Sequence, residues 1–460
     1  MESKVTSGTE LSSKLERFWD ISGQKILSIE QEFDISKGAP VFTVEGKYAS
    51  RGWTEWTQGF QYGSAIIQFE ATGDAQFLDI GKKATIDKMA PHVSHFGVHD
   101  HGFNNVSTYG NLHRLMINGT IENNDQEKDF YVLALKITGA VQAYRWTDLP
   151  GGLGYIYSFN GPHSLFVDTI RSLRALILSH ELKHDLRTEN DRVISLLDRA
   201  VDHAIATARY AVYYGEGRDH YDLWGRTAHE SIFNTNDGQY RCPNTQQGYS
   251  GFSTWTRGLA WAMLGFSEQL EYLDHLPNNT FDRRESAGEP VQEIFLKAAK
   301  ATCDFYITHS ALDGITYWDT GAPGLSHMGD YLSRPADPYN DYEPVDSSAS
   351  AIGAQGLCRL GHYLNLQKKG SGDKYWQAGL QVASRLLEEP YLSMDSKHHG
   401  LVLHSIYHRP NGWDHIPSGS KIPNGESSMW GDYHMRELCL YLHYALNKKG
   451  YYTYFDGVRN

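Results

Sequence analysis

Six helix starts that look alike constrain the fold of this 460-residue chain more than any other sequence feature. They read WTQGFQYGSAII, HDHGFNNVSTYGNL, FVDTIRSLRALI, STWTRGLAWAML, PVDSSASAIGAQGL and SMWGDYHMRELCL. Each carries a Trp or an Asp at or near its beginning, and apolar residues follow at helical spacing. Successive starts lie roughly 45 to 90 residues apart, which leaves room for a helix, a return helix and loops. The pattern predicts six helical hairpins closed into a ring, an all-α (α/α)6 barrel.

Helical periodicity accounts for almost the whole chain, and alternating strand patterns are few. The composition, 40 % hydrophobic and 21 % charged, lets the chain bury a large core and argues against disorder. We therefore expect a single barrel domain over residues 1–460, in which residues 1–45 form an N-terminal helical lead-in.

The charge balance restricts the partners of the chain. A formal net charge of -13 disfavours binding to nucleic acid and to anionic membrane surfaces. The N-terminal segment lacks the apolar core of a signal peptide, and no run of about 18 apolar residues could span a bilayer. The four cysteines lack the spacing of a zinc site or a disulfide framework. We expect a cytoplasmic protein with no nucleic-acid partner and no membrane partner.

A closed ring of hairpins would bring the six helix starts to one end of the barrel. The residues gathered there would be Trp56, Asp100, Asp168, Trp255, Asp346 and Trp430. An aspartate at a helix start is commonly an N-cap, and Asp346 before SSASA is predicted to be only that. Capping does not explain the tryptophans, because helix starts do not require indole rings. Aromatic rings around carboxylates in a cleft favour a sugar-binding site.

Seven motifs of the chain resemble, in the same order, those of the unsaturated glucuronyl hydrolases, glycoside hydrolase family 88. They are WTQGF, HDHGF, FVD, QQGYSGFSTWTRGLAW, YWDTGAPG, VDSSASAI and MWGDY, and they extend from about Trp56 to the C-terminus. The resemblance implies an (α/α)6-barrel hydrolase. Its substrates would be lyase-generated oligosaccharides, from a glycosaminoglycan or a similar uronate polysaccharide, with a 4,5-unsaturated uronic acid at the non-reducing end.

The resemblance also implies a mechanism. Asp168 matches the family's general acid/base, which protonates C4 and takes a proton from the water that adds at C5. The hemiketal formed by this hydration opens, and the aglycone leaves. Asp100 matches a second aspartate that holds substrate hydroxyls and helps to set the protonation of its partner. Two close carboxyl groups favour sharing one proton, which raises one apparent pKa.

Other residues are implied to bind substrate because they match the same motifs or lie close to them. They are Trp56, His229, Gln247, Trp255, Arg257, Trp261, Ser418, Ser420 and Lys421. Trp56 would lie under the unsaturated ring, and the Arg257 guanidinium would bind the uronate carboxylate in a bidentate manner. His229 would lie near the catalytic acid, or would be a solvated loop residue. Helical spacing predicts that only one of Trp255 and Trp261 faces the sugar.

The segment SGSK, which contains Ser418, Ser420 and Lys421, would receive a sulfate group of the substrate or would form only a polar turn. Arg171 in FVDTIRSLRALI would bind another anionic group if it faces the cleft, or would be solvated if it faces outward. The long segment LSHMGDYLSRPADPYNDYEP could cover the mouth of the barrel.

The segment PHVSHFGVHDHGF is rich in histidine. It contains His92, His95, His99 and His101. Such a density can mark a transition-metal site, but no second cluster of ligands accompanies it, so we expect no metal and no cofactor. His99 and His101 would instead support Asp100 from both sides.

Three other functions are alternatives to this one. An inverting glycosidase would cleave a saturated glycoside, with Asp168 as acid and Asp100 as base. A sugar isomerase on the same barrel would need two bases, commonly histidines, where this chain has aspartates. A non-catalytic carbohydrate-binding protein would retain ligand affinity without turnover.

Overall fold

The computed structural model describes residues 8–51, 56–277, 280–281, 288–367, 372–447 and 452–458. Helices make up most of this structure. The α-helices are α1 (Gly8–Glu32), α2 (Gln58–Thr72), α3 (Ala75–Lys88), α4 (Ala90–Val93), α5 (His101–Asn105), α6 (Asn111–Ile117), α7 (Asp125–Tyr144), α8 (Thr169–Ser172), α9 (Arg174–Glu181), α10 (Leu196–Tyr210), α11 (Thr256–Leu273), α12 (Val291–His309), α13 (Ser347–Gln367), α14 (Asp373–Leu386) and α15 (Met429–Leu446). A π-helical turn, Val106–Gly110, joins α5 to α6. No helix in the described ranges combines the length and the apolarity needed to cross a membrane.

Six inner helical segments surround the barrel axis in the order α2, α5–α6, α8–α9, α11, α13 and α15. Each packs against the next, and α15 packs against α2, so the ring closes. Each inner segment begins beside the Trp or Asp that marks its start in the sequence. The predicted all-α (α/α)6 barrel is confirmed.

The outer layer covers the ring from outside. Helix α3 packs on α2, α7 on α9, α10 on α8 and α9, α12 on α11, and α14 on α13. Helix α1 packs against both α2 and α15, the first and the last inner helices. Residues 8–32, which lie in the predicted lead-in, thus form the outer helix at the point where the ring closes.

Two glycines of the recognised motifs allow neighbouring helix starts to touch. A Cβ atom at Gly59 would lie 2.2 Å from the backbone oxygen of Asn104, and one at Gly102 would lie 2.2 Å from that of Ser172. Any larger residue would push the backbones apart. The glycines of WTQGF and HDHGF therefore bring the starts of three successive inner helices into contact.

The strands form small antiparallel sheets in the loops. They are β1 (Pro40–Val44), β2 (Lys47–Ser50), β3 (Trp146–Asp148), β4 (Gly154–Ile156), β5 (Ser164–Phe166), β6 (Leu186–Arg187), β7 (Val193–Ile194), β8 (Glu230–Phe233) and β9 (Tyr240–Asn244). In the three-stranded sheet, β8 pairs with both β5 and β9. The Val167 N–H donates to the His229 carbonyl at 2.9 Å, which continues this pairing beyond β5. The sheet therefore places His229 beside the segment that leads into Asp168.

The barrel interior contains buried charges that compensate one another. Arg171 is fully buried and forms ion pairs with Glu268 at 2.7 Å and with Glu437 at 2.5 Å. Arg174 approaches Glu437 at 3.4 Å. Both positions expected for Arg171, facing the cleft or facing solvent, are therefore wrong. The residue follows the helix start by one turn and points into the core, where carboxylates of two other inner helices neutralise it.

Candidate active site

A cavity of about 670 Å³ opens at the end of the barrel where the inner helices begin. Its walls are formed by Trp56, Val98, His99, Asp100, Phe103, Phe159, Phe166, Asp168, Gln246, Gln247, Trp255, Arg257, Trp261, Tyr407, His408, Asn411 and Trp413. Four of the six marked helix starts supply lining residues directly. The other two starts supply Asp346 and Trp430, which lie behind the wall and contact Arg257.

The two aspartates proposed to be catalytic do not behave as helix caps. Within the described chain, neither the Asp100 nor the Asp168 side chain accepts a capping hydrogen bond from its helix. Asp346, in contrast, accepts from the Ser348 N–H at 3.1 Å, as predicted for a cap. Asp100 and Asp168 are about nine-tenths buried, and both line the cavity. Their carboxyl groups are thus available for chemistry.

One imidazole faces both carboxyl groups. Nε2 of His99 lies 3.8 Å from Oδ1 of Asp100 and 3.6 Å from Oδ1 of Asp168. These distances exceed a direct hydrogen bond, so the attraction is mainly electrostatic. Burial opposes protonation of His99, but the two carboxylates outweigh it and raise the His99 pKa above its ordinary value.

The two carboxyl groups differ in their affinity for a proton. Burial, together with the charge of Asp168, raises the pKa of Asp100, although His99 opposes the shift. For Asp168 burial would also raise the pKa, but the interaction with His99 outweighs it and holds the pKa below its ordinary value. In the unliganded site Asp168 is therefore ionised more easily than Asp100.

Aromatic rings form one side of the cavity. Trp56 stacks on the buried Trp430 with ring centroids 5.0 Å apart and an interplanar angle of 28°. Phe103 packs between Trp56 at 5.8 Å and Trp261 at 4.9 Å. The rings support one another, so the exposed part of Trp56 is held as a flat apolar surface suited to the C–H face of a sugar.

Arg257 lines the cavity, but its guanidinium N–H groups already have protein partners. Nη1 donates to Asp346 Oδ2 at 3.0 Å and to the Ile406 carbonyl, and Nη2 donates to Gln247 Oε1 at 2.9 Å and the Tyr407 carbonyl at 2.8 Å. A bidentate contact with a uronate would require the exchange of some of these partners. The network instead joins the α11 start to the loop at residues 406–407.

Trp255 and Trp261 both line the cavity, although helical spacing predicted that only one would. Trp255 is the N-cap of α11 and has an extended backbone, with φ -65° and ψ 114°. Helical spacing therefore does not apply to it. The prediction treated Trp255 as a residue within the helix, whereas α11 begins one residue after it.

His229 lies behind the cavity wall, between the rings of Phe166 at 4.4 Å and Trp255 at 4.7 Å. Its Nδ1 accepts the Gln246 N–H at 3.0 Å, so the neutral ring carries its proton on Nε2. Burial lowers its pKa to about 4, which keeps it neutral near pH 7. Nε2 is buried and has no hydrogen-bond partner among the described residues.

One wall of the cavity was not predicted from sequence. It is the loop at residues 407–413, which contributes Tyr407, His408, Asn411 and Trp413. Asp414 closes this loop by accepting the N–H groups of Tyr407 at 2.5 Å and His408 at 3.1 Å. The loop lies between helices, so neither helical periodicity nor a helix start marks it. The aromatic spacing of YHRPNGWD is its only signal.

The segment proposed to bind sulfate lies outside the residues that line the cavity. Ser418 is exposed, and Ser420 Oγ accepts a hydrogen bond from the Asn424 side chain at 3.1 Å. Lys421 is exposed and forms an ion pair with Asp341 at 2.9 Å. Asp341 belongs to the long segment before α13, and none of that segment's residues contributes to the cavity wall.

The histidines before α5 have separate environments. His92 Nε2 lies 2.6 Å from Gln58 Oε1, and His101 Nδ1 lies 2.6 Å from Thr138 Oγ1. Burial lowers the pKa of His92 to about 4 and that of His101 to about 3. Across the described ranges, no group of three or more His, Cys, Asp or Glu side chains has the arrangement of a metal site. His101 points away from Asp100, so of the two flanking histidines only His99 supports it.

An (α/α)6 barrel whose cavity combines indole rings with two buried carboxyl groups is the arrangement expected of a carbohydrate-active enzyme. No family model matches the chain. The chain is 24 % identical over 388 residues to an unsaturated glucuronyl hydrolase of Formosa agariphila, covering 83 % of this chain and 78 % of the relative. It is 24 % identical over 408 residues to an unsaturated chondroitin disaccharide hydrolase of Streptococcus pyogenes, covering 86 % and 84 %.

A solved structure has the same fold. The unsaturated glucuronyl hydrolase of Bacillus sp. GL1 superposes with a TM-score of 0.68 at 22 % identity, over 92 % of this chain and 95 % of that one. The resemblance predicted from the motifs is thereby confirmed. The chain is a hydrolase similar to the unsaturated glucuronyl hydrolases over most of its length.

Proposed function

We propose that the chain removes a 4,5-unsaturated uronic acid from the non-reducing end of oligosaccharides that a lyase has produced. The observation that carries this proposal is the pair of buried, uncapped carboxyl groups at the end of a cavity lined with indole rings. Relatives named for unsaturated glucuronyl and unsaturated chondroitin substrates favour glycosaminoglycan fragments.

The proposed reaction is a hydration. Asp168 donates a proton to C4 of the C4=C5 bond, and a water molecule adds to C5 and gives a proton back to Asp168. The product is a hemiketal at C5, which opens to a ketone and leaves a hemiacetal at C1. The hemiacetal then releases the aglycone. In this scheme Asp100 binds the hydroxyl groups of the unsaturated ring.

The remaining walls would bind the sugar. Trp56 would pack against the ring face, with Trp261 and Trp255 closing the cavity around it. The uronate carboxylate would lie on the side of Arg257, which is the only Arg or Lys among the described residues that line the cavity. For His229 to donate from Nε2–H to the water or to the substrate, the wall formed by Phe166 and Trp255 would have to open when substrate binds. Gln247 would support Arg257, whose N–H it accepts.

Two finer assignments remain predictions. Sulfate binding by Ser418, Ser420 and Lys421 would require substrate to extend beyond the cavity walls. A cytoplasmic location would require that the lyase products enter the cell before this enzyme acts on them.

The test follows the ultraviolet absorbance of the conjugated uronate when the protein is mixed with lyase-made disaccharides, both sulfated and unsulfated. A saturated disaccharide is the control and is assayed for released sugar. We expect absorbance to fall only with the unsaturated substrates. In heavy water the product should carry deuterium at C4. Release from the saturated control would favour the inverting glycosidase, and binding without turnover would favour the carbohydrate-binding protein.

A further inference from the structure

His99 is held rigidly at the junction of the two catalytic aspartates. Its carbonyl accepts hydrogen bonds from Gln142 Nε2 at 2.9 Å and from Ser172 Oγ at 2.7 Å. Its ring stacks on Phe159 at 6.0 Å and meets Phe166 edge-on at 5.5 Å. Helices α7 and α8 thus hold the His99 backbone, and Phe159 and Phe166 hold its ring.

Both ring nitrogens of His99 are buried. His99 is 2 % exposed, and neither Nδ1 nor Nε2 has a hydrogen-bond partner in the part of the chain that the structure describes. Oδ1 of Asp168, 3.6 Å from Nε2, is likewise buried and has no hydrogen-bond partner among the described residues. Catalytic hydrogen bonds are often long in unliganded enzymes and shorten when substrate binds.

Among the charged and titratable groups around His99, the carboxylates of Asp100 and Asp168 are its main electrostatic partners. Arg145, at the end of α7, donates to the carbonyls of Phe96, Tyr157 and Ser158 and opposes protonation of His99. His203 on α10 and His229 before β8 both interact with His99. Burial lowers their pKa values to about 3 and about 4, so both rings are neutral near pH 7.

We propose that His99 is a positioning residue that supplies the proton which Asp168 delivers to C4. This inference rests on the proposed function. The resting site holds a His99 imidazolium and an Asp168 carboxylate. Substrate brings a further carboxylate and displaces water, which favours the neutral form of Asp168, and the proton passes from Nε2 to Oδ1.

The protons balance over one turnover. Asp168 gives the proton to C4 and becomes a carboxylate while His99 is neutral. Water adds its oxygen to C5 and gives one proton to Asp168, which returns it to His99. The substrate gains one H at C4 and one OH at C5, and the enzyme regains its starting protonation.

The test compares the pH profiles of kcat/KM for the wild-type enzyme and for His99→Gln, on one unsaturated disaccharide. In the variant the proton must reside on Asp168 itself. The alkaline limb, where the essential proton is lost, should therefore move to lower pH by about one unit or more. Activity should be far below that of the wild type at pH 8 and should approach it near pH 5.

His101→Gln is the matched control, because His101 is equally buried but faces Thr138. It should lower stability and should change kcat/KM by the same factor at every pH. A uniform loss in His99→Gln would overturn the proposal, since a purely structural role predicts that pattern. If the wild-type enzyme shows no turnover, the proposed function itself has failed.

A second measurement uses only the wild-type enzyme, in case the variant does not fold. Ionisation of an imidazolium absorbs heat, whereas ionisation of a carboxyl group is almost without heat. The apparent pKa of the alkaline limb should therefore fall as temperature rises. A temperature-independent limb would assign the essential proton to a carboxyl group and would overturn the role of His99.

Discussion

Buried carboxylates occur in two regions of this barrel, and the two sets have opposite electrostatic environments. In the interior, Glu268 and Glu437 are fully buried, and the guanidinium of Arg171 bonds both. At the mouth, Asp100 and Asp168 form no ion pair with an Arg or Lys within the described ranges, and the imidazole of His99 lies 3.8 Å and 3.6 Å from their carboxylate oxygens. Arginine cannot release its proton near neutral pH, whereas histidine can. Burial alone therefore does not mark a candidate catalytic carboxylate. Asp100 and Asp168 differ from the interior pair because they line the cavity and lie beside a partner that can titrate.

The largest expected effect is on catalysis at the mouth. Asp168→Asn keeps the shape of the side chain but cannot transfer a proton, so kcat/KM should fall by about 10²- to 10⁴-fold. The melting temperature should change little, because the Asp168 side chain makes no helix-capping bond within the described chain. Turnover is followed by the loss of uronate absorbance.

Asp432→Asn is the control for this prediction. Asp432 is a buried carboxylate near the start of α15 that accepts the N–H groups of Leu401 and Val402. Its replacement should lower stability and leave turnover per folded molecule near that of the wild type. Unchanged turnover in Asp168→Asn would remove that residue from the mechanism.

Replacement of an interior carboxylate should lower stability and leave turnover unchanged, the reverse of the result expected for Asp168. Glu437→Gln leaves Arg171 and Arg174 without part of their compensation, and the free energy of unfolding should fall by about 3–5 kcal/mol. Chemical denaturation measures the loss, and turnover per folded molecule should be retained. Glu388→Gln is the control, because Glu388 pairs with Lys14 at the surface and is 46 % exposed. Its effect should stay within about 1 kcal/mol. Equal losses of unfolding free energy in Glu437→Gln and Glu388→Gln would contradict the structural role assigned to the interior carboxylates.

Arg257 lies at the mouth, but its guanidinium is hydrogen-bonded to protein acceptors as fully as those of the interior arginines. Arg257→Lys keeps the charge and cannot reach all four acceptors, so the free energy of unfolding should fall by about 1–3 kcal/mol. We expect KM to change in step with this loss, as the loop at residues 406–407 loosens. A rise in KM of tenfold or more with unchanged stability would instead support direct binding of the uronate by Arg257.

The inner helices and the two aspartates that line the cavity could be predicted from sequence because both depend on local patterns. Helical periodicity marks each start, and Trp56, Asp100, Asp168 and Trp255 reach the cavity wall from there. The capping role of Asp346 was likewise readable from the serines that follow it.

Features that depend on partners distant in sequence could not be predicted. Arg171 is neutralised by Glu268 and Glu437, which lie about 100 and more than 250 residues later in the chain. The wall at residues 407–413 is shaped by the Asp414 carboxylate and has no helical pattern. The position of His99 between two carboxyl groups depends on the close approach of the α5 and α8 starts. Gly102 allows this approach, but its presence in the sequence does not predict it.

The smallest expected effect concerns the exposed segment that contains Lys421 and follows the loop at residues 407–413. Lys421 pairs with Asp341 in solvent, and an exposed pair of this kind contributes about 0–1 kcal/mol to stability. Lys421→Ala should therefore leave the melting temperature almost unchanged. Because Lys421 lies outside the cavity wall, the ratio of kcat/KM for sulfated and unsulfated disaccharides should also stay constant.

Asp341→Ala is the matched variant, since it frees the ammonium group without removing it. A loss of preference for sulfated substrate in Lys421→Ala, with a gain in Asp341→Ala, would show that the ammonium reaches the substrate and that the site extends beyond the cavity wall.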